Sequence, residues 1–222
     1  GMLRDALRID VESVPATAPD IVQRAIEVDP PRRTQLLARL VRDEGWTRVL
    51  VFVATKHAAE IVADKLRKTG LVAEPFHGVL SQGKRSQVLA DLKASRVQVV
   101  VATDLAARGI DVVALPVVVN YDLPRSAVDH VHRIGRTGRA GERGLAVSFV
   151  DASTEAHFRL IEKRQGQAVP RERIAGFEPA EAPVDHAVAV GAVAAVDGTG
   201  GVKGRRPSKK DKLRAAQKQQ GG

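Results

Sequence analysis

The strongest constraint on this chain is the way its apolar residues change period. Val49-Leu50-Val51-Phe52-Val53-Ala54 is an unbroken apolar run of strand length. Such a run, in place of alternation, predicts a strand covered on both faces, as in a parallel sheet. From Lys56 to Lys68 the spacing turns helical through Ala59, Ile61, Val62 and Leu66, and Gly70 offers a C-terminal stop. The change then repeats. Strands are expected at 72–76, 97–102, 117–121 and 145–150, and helices at 81–93, 127–134 and 154–164. A further amphipathic helix, 32–44, carries Leu36, Leu37, Leu40 and Val41. Regular alternation of this kind predicts an α/β fold, a parallel sheet flanked by helices and joined by right-handed crossovers. In such sheets ligands bind outside the carboxyl ends of the strands, so the segments directly after strands are where chemistry is sought.

Four stretches follow from composition. Residues 1–20 are an N-terminal extension broken by Pro15 and Pro19, and 21–170 are the α/β domain. Residues 171–202 read as a linker, rich in Ala, Val, Gly and Pro from 178 onward, and 203–222 as a disordered basic tail. The formal charge is +9, and the tail holds +7 of it, eight Lys and Arg against Asp211. The remainder is nearly neutral, so the basicity belongs to the tail and not to the fold. Five Phe, one Trp and one Tyr leave little for a base-stacking platform, so a nucleic acid would be held by its backbone. The absence of cysteine excludes a disulfide framework, a thiolate zinc site and a cysteine nucleophile. No stretch approaches the ~20 apolar residues of a membrane span, and no apolar run follows the N-terminal charges. A cytoplasmic protein without membrane contact is expected.

Three segments carry chemistry. The first is His132-Arg133-Ile134-Gly135-Arg136-Thr137-Gly138-Arg139. Arg136 and Arg139 are three apart, so on a helical turn their guanidinium groups would point to one side. Two forked cations aimed at one spot suit a polyphosphate whose charge grows during transfer, the role of an arginine finger. The plain alternative is a solvated basic loop. The second segment, Ala102-Thr103-Asp104-Leu105-Ala106-Ala107-Arg108-Gly109-Ile110-Asp111, follows a predicted strand directly. Thr103 can donate to a phosphate, Gly109 permits close approach, and Asp111 can accept from a ribose hydroxyl; the alternative is a loop whose Thr and Asp cap the next helix. The third is Phe76-His77-Gly78 with Ser81-Gln82-Gly83-Lys84-Arg85, a strand end leading into a helix N-terminus. There free N–H groups and Arg85 favour phosphate, against the alternative of a capped helix with a basic face.

In this order the segments resemble the second, C-terminal RecA-like domain of a DEAD-box RNA helicase of superfamily 2. Val49 to Lys56 resembles motif IV, Gln82 to Arg85 the QxxR element, Ala102 to Asp111 motif V, and His132 to Arg139 motif VI, reading HRIGRTGR in full. The likeness covers about residues 20–165. The bacterial RhlE type resembles it most, through Thr55-Lys56-His57, Ser81-Gln82-Gly83 and the stretch from Val169 to Pro179. The resemblance implies that Arg136, Arg139 and His132 are catalytic, the arginines as fingers on the ATP γ-phosphate. It implies that Gly109 and Asp111 join them in binding ATP. It also implies that Thr55, Arg85, Thr103 and Arg108 face the RNA backbone. The family's G-x-x-x-x-G-K-S/T phosphate loop and D-E-A-D string do not occur here. The resemblance therefore implies a partner, the N-terminal RecA-like domain, which holds the Mg2+ of the ATP, and no metal held by this chain. An inactive ATPase in isolation is expected. Two other readings remain open: an RNA-binding module without catalysis, acting through its basic tail, and half of a DNA helicase of the same superfamily.

Overall fold

The unbroken apolar runs become the interior of a parallel sheet. The structure, a computed structural model, describes residues 20–107, 115–138 and 141–180. Its strands are β1 (Ile21–Glu27), β2 (Val49–Val53), β3 (Ala73–Phe76), β4 (Val99–Thr103), β5 (Val117–Asn120), β6 (Gly144–Val150) and β7 (Arg171–Glu172). They lie in the order β3-β4-β2-β5-β6-β1-β7, and every pairing is parallel. The helices are α1 (Arg33–Asp43), α2 (Lys56–Lys68), α3 (Gln82–Lys93), α4 (Asp104–Ala107), α5 (Ala127–Ile134) and α6 (Glu155–Gln165). Among the described residues no helix is long and apolar enough to cross a membrane.

Strand β2 shows why the run is unbroken. Val49, Val51 and Val53 join the core under α1 and α2, with Leu36, Leu37, Val62 and Leu66. Leu50 and Phe52 point the other way, to Phe76, Val88 and Leu92 beneath α3. Further along that second face, Ala127 of α5 and Phe158 and Ile161 of α6 pack on Val150 and Ala25. Each such large side chain, once buried, contributes about 1.5–3 kcal/mol, so a strand with two apolar faces is worth twice one with a wet face.

Helices α2 and α5 fall where the periodicity places them, and Gly70 ends the α2 turn at φ +87°. Two expectations need correction. Residues 21–27, for which no element was expected, form β1, because pairing with β6 along seven residues holds a strand of weak pattern. Its Arg24 is satisfied by Glu44 at 2.8 Å and Glu172 at 2.7 Å. The fold also runs past 170, into the expected linker. Strand β7 pairs with β1, and Phe177 is buried under Arg32 and Arg39, whose guanidinium carbons lie 4.8 and 5.8 Å from its ring centre. Anchoring by isolated side chains leaves no period to read. The tail 203–222 lies outside the described residues.

The crossovers position a crevice. Strand β2 runs into α2 on one face, whereas its neighbours β4 and β5 run into α4 and α5 on the other. Chains leaving adjacent strands therefore diverge above the carboxyl end of β2, where α/β sheets bind ligands.

Candidate functional site

The register brings the loop residues together. Val53 of β2 lies beside Thr103 of β4, and Phe52 beside Asn120 of β5. Thr55, two residues beyond β2, is exposed and caps α2, its hydroxyl accepting from the Ala58 N–H at 3.0 Å. Ala54, Thr103, Asp104, Leu105, Arg125 and Asp129 line a cavity of about 270 Å³. Leu105, one of the lining residues, is 76% exposed. Arg85 stands on the β3 side of β4. It lies over the Phe76 ring at 5.4 Å and donates to Gln82 at 3.3 Å. Ser81 caps α3 as expected.

Motif VI divides into a buried half and an accessible one. Arg133 is 3% exposed and takes both carboxylate oxygens of Asp104, at 2.6 Å each. Its remaining amino group donates to Asn120 Oδ1 at 3.1 Å and the Asp122 carbonyl at 2.7 Å, and its plane covers Phe52 at 4.9 Å. Of the basic cluster, this arginine is a structural tie. Asp104 has both its carboxylate oxygens on Arg133. His132 is exposed and Arg136 half-buried. Both line a notch of about 20 Å³ with Phe52, Asp104, Asp129 and Arg133, so Asp104 and Asp129 form a wall common to the two spaces.

The turn that carries Arg136 is fixed by glycines. Helix α5 ends at Ile134, and the N–H groups of Arg136 and Thr137 reach back three residues, to Arg133 and Ile134, at 3.1 and 3.0 Å. Gly138 then sits at φ +65°, where an added Cβ would meet the Ile21 side chain at 2.5 Å. A Cβ on Gly144 would strike the Gly138 backbone. Arg136 and Thr137 thus lie beyond the end of α5, in a turn that Gly138 leaves at positive φ. Thr137, fully buried, donates to the Leu115 carbonyl and, at 3.2 Å, to that of Pro116. Motif VI is thereby tied to Leu115, just beyond the last residue of motif V. Arg108, Gly109, Asp111 and Arg139 lie outside the described residues.

The supporting residues were not singled out in the sequence. Arg33 grips the strand ends from the other face. It donates to the Tyr121 carbonyl at 3.0 Å, to Asp122 at 3.1 Å and to Asp151. Asp122 also accepts from the Ala54 N–H at 2.8 Å, which fixes the β2 loop to the β5 loop. Burial pushes the Asp151 carboxyl up, but the Ser153 hydroxyl and Arg33 outweigh it and hold it below its ordinary value. His130 is buried on α5 beside Arg133, and burial first, then the neighbouring cation, pushes its pKa down to about 4. The signal that could have found Asp122 is its place: a carboxylate directly after a buried strand, where the crevice rule applies.

The chain is similar to known proteins in sequence and fold. The helicase conserved C-terminal domain matches residues 32–141. The ATP-dependent RNA helicase SrmB of Haemophilus influenzae is 37% identical over 183 residues, 82% of this chain and 42% of the relative. The DEAD-box ATP-dependent RNA helicase CshA of Bacillus cereus is 37% identical over 163 residues, 73% of this chain and 31% of the relative. The chain thus spans less than half the length of these curated relatives. Among solved structures, Escherichia coli DEAD-box protein SrmB, bound to regulator of ribonuclease activity A, superposes with a TM-score of 0.66 at 34% identity. That match covers 72% of this chain and 94% of the other. Dbp5 of Saccharomyces cerevisiae, solved with RNA and ADP BeF3, gives a TM-score of 0.64 at 32% identity, over 71% of this chain and 42% of the other.

Proposed function

Since the chain belongs to the DEAD-box RNA helicases, as their C-terminal helicase domain, we propose that it is the second RecA-like half of an ATP-dependent enzyme that unwinds RNA. The observation that carries this is the common wall of Asp104 and Asp129. On one side lie Ala54, Thr103 and Arg125, suited to a backbone phosphate; on the other lie His132 and Arg136, suited to a nucleotide held by the first domain.

In this reading ATP and RNA draw the two halves together. Arg136, with Arg139, meets the γ-phosphate and stabilises the charge that develops as it transfers, while His132 contacts the first domain. Gly109 and Asp111 receive the ribose and phosphate region. The RNA backbone runs over Thr55, Thr103, Arg85 and Arg108, and over Arg125, which lines the same cavity as Thr103. Magnesium accompanies ATP on the first domain. The solved complex of Dbp5 with RNA and ADP BeF3 supports the joint binding. A cytoplasmic RhlE-type enzyme is the proposed setting.

The test is Arg136→Ala in the complete two-domain protein. RNA-stimulated ATP hydrolysis falls by about 10³ or more, as for other arginine fingers. Wild-type turnover in a folded variant would overturn the assignment. The isolated chain hydrolyses no ATP above background. The tail favours a second reading, RNA binding without catalysis, through its share of +7. If that holds, deleting residues 203–222 removes most RNA affinity and flattens its salt dependence.

A further inference from the structure

The geometry points to Arg133 as a positioning residue through which RNA contact at Thr103 and Leu105 sets the placement of Arg136. This deepens the helicase reading and rests on it. Three observations carry it. First, the grip on Asp104 is rigid. Two guanidinium nitrogens hold the two carboxylate oxygens at 2.6 Å each, a third is held by Asn120 and Asp122, and the plane is stacked on Phe52. A forked cation used on all sides cannot turn without losing several bonds together.

Second, the two ends of this tie lie in different places. Asp104 directly follows Thr103, lines the larger cavity beside Leu105 and Arg125, and keeps its side chain 38% exposed. Arg133 is 3% exposed and lines the notch that holds His132 and Arg136. Its own carbonyl accepts the Arg136 N–H at 3.1 Å, so a shift of the Arg133 backbone is a shift of Arg136. Close-packed interiors pass such shifts on between discrete arrangements and do not absorb them.

Third, charge requires the tie. The larger cavity presents Asp104 and Asp129, two carboxylates, to a polyanion. Asp129 is occupied by the Ser126 hydroxyl at 2.8 Å, and Asp104 is neutralised by Arg133. A phosphate entering beside Thr103 therefore perturbs the very carboxylate that anchors the arginine. RNA engagement and arginine placement become one event.

The experiment uses the complete two-domain helicase and measures binding of a non-hydrolysable ATP analogue with and without saturating single-stranded RNA. Wild type binds the analogue about tenfold tighter or more when RNA is present, an ordinary coupling between sites. In Arg133→Lys, which keeps the charge but not the fork, that ratio falls to about twofold or less. Asp104→Asn gives the same fall, because an amide cannot pair both guanidinium nitrogens as the carboxylate does. Arg33→Lys serves as the structural control and keeps the wild-type ratio, though it melts earlier. A wild-type ratio in folded Arg133→Lys or Asp104→Asn overturns the inference and leaves the helicase reading intact. If Arg133→Lys does not fold, Asp104→Asn, at a partly exposed side chain, decides alone. No RNA-dependent tightening in wild type would overturn both.

Discussion

Two arginines hold the end of β5, one from each face of the sheet, and they do different work. Arg33, at the start of α1, binds the Tyr121 carbonyl, Asp122 and Asp151. Arg133, on α5, binds the Asp122 carbonyl, Asn120 and Asp104. Both are almost fully buried and both close a fan of strand ends that would otherwise leave carbonyl and carboxylate groups without partners. Their carboxylates differ. Arg33 and Asp151 are 7% and 6% exposed, a pair sealed inside the fold, whereas Asp104 keeps 38% of its side chain in reach of solvent. The same chemistry therefore makes a structural rivet on one face and an addressable tie on the other.

Truncation tests that contrast first, and with the largest effect. Arg33→Ala leaves the buried Asp151 carboxylate without its counter-ion, held only by Ser153 and Thr154, which costs about 3–5 kcal/mol in urea denaturation. Arg133→Ala costs less, about 2–3 kcal/mol, because water can reach Asp104 and the main loss is the unsatisfied Asn120. Adding Asp104→Ala to Arg133→Ala then recovers little. The reverse order of stabilities would show that the α5 side, and not the α1 side, is the rivet.

Acid separates the two faces next. His130, behind Arg133 on α5, has its pKa pushed from 6.5 down to about 4, so the unfolded chain binds its proton first. Stability is complete above pH 6.5 and falls as the pH drops towards 4, by about 3 kcal/mol in all. Asp151, on the other face, lies below its ordinary carboxyl value and contributes above that value, losing its share only as the pH falls further. Thermal melting at pH 7, 5.5 and 4.5 reads the first slope, and His130→Leu flattens it. An unchanged slope in that variant would place the acid-sensitive group elsewhere.

Helix ends give a third, smaller contrast. Gly70 after α2 has φ +87° and open space where a Cβ would sit, so Gly70→Ala costs about 1 kcal/mol from backbone conformation alone. Gly138 after α5 has φ +65° and Ile21 and Asp20 pressed against the same position. Gly138→Ala costs about 2–3 kcal/mol, conformation and displacement together. Equal losses would mean that β1 yields without cost.

The legible part of this molecule and the illegible part follow the same physics. Val49 to Val53 could be read because burial on both faces leaves an unbroken run, and α2 because Ala59, Val62, Ala63 and Leu66 line its buried face, whereas α5 buries His130 and Arg133 and leaves Val128 and Val131 exposed. Motif VI could be read as a cluster of cations, but not as a division of labour among them. Nothing local distinguishes Arg133 from Arg136; the difference comes from Asp104, 29 residues away along the chain, which the β4–β2–β5 register brings under Arg133. Arg33 was illegible for the same reason, since its carboxylates arrive from β5 and β6. Strand β1 lacks a pattern because pairing with β6, and not an apolar alternation, holds it.

The smallest effect asks what a cap on each face is for. Thr55 caps α2 and Ser126 caps α5, each through a hydroxyl that accepts a backbone N–H at 3.0 and 3.1 Å. The Ser126 hydroxyl spends its proton on Asp129 at 2.8 Å. The Thr55 hydroxyl is exposed, and in the proposed function its proton goes to a backbone phosphate. Loss of either cap costs about 1 kcal/mol of stability. Ser126→Ala should stop there, with RNA affinity unchanged, whereas Thr55→Val should weaken RNA binding about threefold to tenfold for one lost charge-assisted bond. Thr55→Ser retains both the cap and the donor and binds as wild type. Equal RNA affinity in Thr55→Val and wild type would reduce Thr55 to a cap, and leave Thr103 and Arg125 as the donors on this side of the Asp104 wall.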